Sequence, residues 1–164
     1  MAITQVTIVN DAFAETAWME TRSFTDDARK VMRDTIERSR ARGTVGIVEP
    51  MLLLWSLLRW ERKIGVICLE ACGVSLRSME QRIEAELLRQ QCLGSQLVID
   101  FERITLVATI AVDESRDNGN AYVGTEHLML ALLKINDTRL NRCFAEFGVT
   151  YSDYKARLTQ ILGT

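Results

Sequence analysis

Residues 26–43, Asp-Asp-Ala-Arg-Lys-Val-Met-Arg-Asp-Thr-Ile-Glu-Arg-Ser-Arg-Ala-Arg-Gly, decide the fold, because their apolar pattern returns 76 residues later. Ala28, Val31, Met32, Thr35, Ile36 and Ser39 answer to Ile104, Val107, Ala108, Ala111, Val112 and Ser115. The spacing i, i+3, i+4, i+7, i+8 is the buried stripe of an amphipathic helix, and it occurs twice. Gly43 and Gly119 match at a shift of 76, whereas Gly73 and Gly148 match at 75, so one residue has been gained or lost between them. At the second shift Gly65, Cys68, Leu69 and Cys72 answer to Leu140, Cys143, Phe144 and Phe147. Leu76, Met79, Ile83 and Leu87 likewise answer to Tyr151, Tyr154, Leu158 and Leu162. The chain is two copies of one helical unit.

Boundaries follow from local chemistry. Thr25 supplies a capping hydroxyl for a first helix, Asp26 and Asp27 favour its positive end, and Gly43 stops it. Pro50 suits the first turn of a second helix, which runs to about Leu58. A third ends at Gly73, and Ser75 caps a fourth that continues to about Gln91, with Gly94 and Ser95 at the joint. The second copy predicts Asp100–Asn118, Thr125–Lys134, Asp137–Phe147 and Thr150–Leu162, terminated by Gly119, Gly148 and Gly163. Thr150 and Asp153 stand at capping-box spacing. The expected fold is all-α: eight helices in two four-helix repeats, about 23–92 and 99–163, packed as one pseudo-two-fold domain over 23–163. Residues 1–22 have no partner in the second copy and are read as an extension.

With 48% hydrophobic and 26% charged residues, the 164-residue chain has the make-up of one globular domain. A net charge of −2 with no basic block argues against nucleic acid as a partner. The longest apolar run, Met51 to Leu58, is far shorter than the ~20 residues of a membrane span. No basic stretch leads into an apolar one at the N-terminus, so a cytoplasmic location is expected. Cys68 and Cys143 hold equivalent apolar positions and read as core thiols. Cys68 and Cys72 lie at i and i+4, but the only histidine, His127, is in the other repeat and no fourth ligand suggests itself. No metal or cofactor is expected.

The stretch Tyr122-Val123-Gly124-Thr125-Glu126-His127-Leu128-Met129-Leu130-Ala131-Leu132-Leu133 resembles the signature of the Clp repeat, the unit of the N-terminal domain of Clp/heat-shock AAA+ unfoldases. Ala111-Val112-Asp113-Glu114-Ser115-Arg116 with Gly119, Phe147-Gly148-Val149 and the opening Phe24-Thr25-Asp26-Asp27-Ala28 are similar to other parts of that repeat. The likeness covers about residues 23–163. It implies a double-repeat docking platform for adaptors and substrates, without chemistry of its own. Two forms are compatible with it: a stand-alone adaptor or regulator serving a Clp unfoldase or protease, or the front of a longer ATPase. The phosphate loop of such an ATPase, Gly-x-x-x-x-Gly-Lys-Ser/Thr, does not occur in these residues.

The first repeat departs from the pattern. Where the second has Thr125-Glu126-His127, it has Pro50, Met51 and Leu52. In ClpC-type members, the resemblance implies, the acid of this motif and the threonine opening the first helix of the same repeat help hold phosphoarginine. Counted that way, the first repeat keeps Thr25 without the acid, and the second keeps Glu126 with Asp100-Phe101 in place of the threonine. Phosphoarginine binding is therefore expected to be lost or weak. Partner-binding candidates are Thr25, Met51, Leu52, Glu126 and His127. Glu126 also fits a plain dipole-stabilising role, and His127 a structural one. The all-apolar segment from Met51 to Trp60 reads as core, with the alternative that Met51 and Leu52 face outward as a partner or self-association patch. A contrasting reading, a small hydrolase using His127 with Cys143, is disfavoured because the thiol falls on an apolar face.

Overall fold

In a computed structural model, residues 24–41, 49–60, 62–91 and 102–163 are described. The helices are α1 (Asp26–Ala41), α2 (Pro50–Leu58), α3 (Ile64–Ala71), α4 (Leu76–Gln91), α5 (Glu102–Asp117), α6 (Thr125–Lys134), α7 (Thr138–Glu146) and α8 (Tyr151–Leu162). Among the described residues, eight helices thus stand where the duplication predicts them. Among the described residues the only β pairing is an isolated parallel bridge between Phe24 and Val123. The extension over 1–22, the Gly43 stop and the Gly94-Ser95 joint lie outside the described residues.

The caps show why the helices begin and end where they do. Thr25 Oγ1 accepts from Ala28 N at 3.2 Å, and Asp137 Oδ1 accepts from Arg139 N and Leu140 N, each at 3.0 Å. Such a cap is worth about 1 kcal/mol. The predicted capping box of α8 is half formed. Thr150 Oγ1 accepts from Asp153 N at 3.1 Å, but the shorter aspartate takes the Thr150 hydroxyl at 2.8 Å instead of reaching the backbone amide. Gly73, Gly119, Gly148 and Gly163 adopt φ between 67° and 87°, the left-handed stop that a Cβ would strain.

The stripes of both copies merge into one core. Ala28, Val31 and Met32 of α1 and Ile104, Val107 and Ala111 of α5 are buried together with Leu53, Leu54 and Leu57 of α2. At the centre lies α6, in contact with α5, with α3, α2 and α1 of the first repeat, and with α7 and α8. Residues Thr125 to Leu132 are buried without a break, so this helix is apolar on all sides except at its start. Across the repeats, Arg82 of α4 grips Glu146 of α7 with two nitrogens at 2.8 and 3.1 Å. Solvent holds that contribution to roughly 1 kcal/mol or less.

Candidate functional site

The polar start of α6 is held from both repeats. Thr25 N donates to Val123 O at 2.9 Å, which lays the entry of α1 beside the entry of α6. From the other side α3 presses Gly65 onto Thr125: Gly65 N donates to Thr125 Oγ1 at 3.2 Å, and a Cβ at this glycine would lie 2.8 Å from Thr125 O. No larger residue allows that approach without moving backbone. Tyr154 of α8 closes the contact by donating its hydroxyl to Gly65 O at 2.7 Å, while its own carbonyl accepts from Cys68 Sγ at 3.3 Å. The two repeats thus meet on both sides of the α6 start, by a backbone hydrogen bond at Val123 and by close backbone approach at Thr125.

His127 is a cap. It is fully buried, and its Nδ1 accepts from Gly124 N at 2.9 Å, reaching back three residues to a helix amide. An accepting Nδ1 requires the proton on Nε2, so the Asn120 amide 3.0 Å away must present its oxygen to that nitrogen. Burial drives the ring's pKa down to about 4, and the ring is neutral at physiological pH.

Glu126 turns back over Gly124, where a Cβ would lie 2.3 Å from its Oε2. Only 6% of the residue is exposed. Its ion-pair-distance contact among the described residues is His127 Nδ1 at 3.6 Å, but that nitrogen is occupied as an acceptor and carries no charge. Burial therefore pushes the Glu126 carboxyl up, opposed by a hydrogen bond from its own amide. Glu114, also buried, has the opposite fate. Burial raises it, but Lys134 Nζ at 2.9 Å and the Tyr151 hydroxyl at 2.8 Å outweigh that and leave it below the usual carboxylate range.

The five nominated residues do not form one surface. The structure brings the backbone of Thr25, which belongs to the other repeat, to Val123, two residues before the start of α6. Met51 and Leu52 are 2% and 4% exposed, which corrects the outward-facing alternative. Substituting an apolar pair for Glu126 and His127 fills the same buried place from within.

Equivalent clefts beside the two helix starts differ in chemistry. In repeat two, His127, Asn118, Asn120, Lys155 and Thr159, together with Leu158 and Leu162, surround about 80 Å³. In repeat one, Leu52 and Glu84 take the places of His127 and Thr159 at the 75-residue shift, and the cleft opens to about 550 Å³ beside Trp55 and Leu88. Sequence reasoning missed this groove because Trp55 reads as core in an all-apolar run. A glycine in the stripe at Gly65, where the second copy has Leu140, was a legible sign of close approach.

The model of the Clp repeat N-terminal domain matches residues 23–147 and 102–164. The chain belongs to the Clp repeat N-terminal domain family. It is 29% identical over 141 residues to the negative regulator of genetic competence ClpC/MecB of Bacillus subtilis (strain 168), covering 86% of this chain and 17% of that protein. To the chaperone protein ClpB of Oceanobacillus iheyensis it is 27% identical over 141 residues, with the same shares. The chain thus corresponds to about a sixth of these relatives. The Hsp104 N-terminal domain from Candida albicans superposes with a TM-score of 0.70 at 19% identity, over 87% of this chain and 93% of that one, a likeness of fold. No helix among the described residues is long and apolar enough to cross a membrane.

Proposed function

We propose that this Clp-repeat chain is a non-enzymatic docking module, an adaptor or regulator that brings substrate polypeptides or partners to a Clp unfoldase or protease. The observation that carries the reading is the edge where the backbone of Thr25 of repeat one adjoins the entry of α6, whose first turn holds a buried carboxylate, Glu126, without a charged partner among the described residues. A carboxyl whose ionised form is disfavoured by burial gains from a cationic partner such as a guanidinium, which stabilises that form. His127 acts from beneath by fixing the turn that carries it. Leu52 contributes by lining the repeat-one groove, whereas Met51 is a core residue.

Phosphoarginine itself is proposed to bind weakly. The Thr25 hydroxyl accepts from Ala28 N in capping α1, which leaves a single O–H to offer a phosphate that takes several donors. Thiol chemistry finds little support: burial pushes Cys68 up to about 12 and Cys143 to about 11, which holds both as inert thiols. Calorimetric titration with casein, a chain without stable structure, tests the docking reading. Binding in the micromolar range, weakened at least tenfold by Glu126→Ala with Thr25→Ala, is expected; no binding, or binding indifferent to both changes, refutes it. A second reading, the N-terminal domain of a longer Clp ATPase using the same edge in cis, is favoured by the small share of its relatives that the chain spans. A stop codon directly after Thr164 in the gene excludes it.

A further inference from the structure

The repeat-one groove has a pattern that specifies an occupant. Leu52 and Trp55 of α2 and Leu87 and Leu88 of α4 line its apolar part, and Leu88 is 62% exposed. Of the charged residues lining it, Arg38 and Glu84 face each other with opposite sign, Arg38 being paired with Asp34 of its own helix at 2.8 Å, and Arg59 and Glu80 extend the two rims. On the α1 and α2 side, the guanidinium carbons of Arg38 and Arg59 lie 4.4 and 4.9 Å from the centre of the Trp55 ring. On the α4 side, Glu84 Oε1 accepts from Trp55 Nε1 at 3.3 Å, and Glu80 Oε1 accepts from Arg59 at 3.4 Å. These contacts are exposed, and pairs of this kind contribute about 1 kcal/mol or less, so a partner's charges can exchange with them at little loss.

The second repeat supplies the control. Its equivalent cleft shares the apolar floor at Leu162, the counterpart of Leu87, but has His127, Asn118, Asn120 and Lys155 around it and encloses about 80 Å³, so the wide apolar lining of repeat one is not demanded by the helical framework. We propose that the repeat-one groove docks an amphipathic helix of a partner polypeptide. Its apolar face seats two or three large side chains against Leu52, Trp55 and Leu88. Acidic residues along one flank meet Arg38 and Arg59, and basic residues along the other meet Glu80 and Glu84. The inference rests on the docking reading and adds to it the chemistry of what docks.

Two helix-favouring peptides of identical composition test this on the full chain, each with leucines along one face. One carries its glutamates on one flank and its lysines on the other; the second interleaves them on both flanks. Followed by amide and methyl shifts in NMR, the segregated peptide is expected to bind at least tenfold tighter and to move Leu52, Trp55 and Leu88. Arg38→Glu reverses one of the two cations on that side and weakens it several-fold. Leu88→Glu, at an exposed position with an unchanged circular dichroism spectrum expected, abolishes it. Equal affinities, shifts outside the groove or no binding overturn the proposal. Shifts confined to the Thr25–Glu126 edge overturn the groove while leaving the docking reading standing; failure of the casein titration brings down the docking reading on its own.

Discussion

The start of α2 and the start of α6 are the same place in two copies of one unit, built from opposite chemistry. In α6 a threonine, a glutamate and a histidine are buried; in α2 a proline, a methionine and a leucine are. The polar version needs a set of partners: Gly65 on Thr125, Gly124 N on His127, Asn120 behind the ring. The apolar version needs none and leaves a larger cleft beside it. A helix start can therefore be held by hydrogen bonds or by packing, and only the first kind leaves a charged group beside the seam between repeats.

The largest effect is expected where the two starts are forced apart. Gly65→Leu, which makes the first copy match Leu140 of the second, drives side-chain atoms into the Thr125 carbonyl, because even a Cβ there lies 2.8 Å away. A loss of roughly 3 kcal/mol or more in urea unfolding is expected; a loss within 0.5 kcal/mol, the ~0.5 typical of surface changes, removes the claim that backbone contact joins the repeats.

Next comes His127→Leu, which copies Leu52 into the second repeat. It strands the Gly124 amide and should cost about 1–3 kcal/mol. The histidine also ties stability to acid. Its folded pKa, about 4, is below its ordinary 6.5, so the unfolded chain takes up the proton first. That contribution is complete above about pH 6.5 and is lost as pH falls toward 4, by on the order of 3 kcal/mol. In His127→Gln this component of the pH slope disappears; an unchanged slope in urea melts between pH 4 and 6.5 assigns it elsewhere.

The smallest effect belongs to the exposed clasp between α4 and α7. A double-mutant cycle on Arg82 and Glu146 should return about 1 kcal/mol or less. A coupling of several kcal/mol would mean that this pair, and not the Thr125 seam, fastens the repeats.

Much of the fold was legible because repetition supplied its own check: a stripe seen at Val31 and again at Val107 is hard to mistake, and Pro50 and Gly148 punctuate their helices by simple sterics. The site was legible in its chemistry but not its partners. Thr25 and Glu126 could be named from the motif, yet only the Phe24–Val123 bridge and the Thr25–Val123 hydrogen bond show that the entry of one repeat lies beside the motif of the other. Periodicity speaks of faces within one helix and is silent on which helix end lies beside which. Trp55 was hidden for a related reason: in an all-apolar segment the pattern cannot tell which residue a groove leaves open.

Glu126→Gln separates ligand recognition from folding most directly. Burial raises the folded pKa of this acid, so its ionised form costs stability near neutral pH, and the amide removes that cost. Measured on one sample by urea unfolding and casein titration at pH 7, the variant is predicted to be at least as stable as the parent and to bind at least tenfold more weakly. A variant that loses stability and binds as before would contradict the account, for Glu126 would then serve the fold alone.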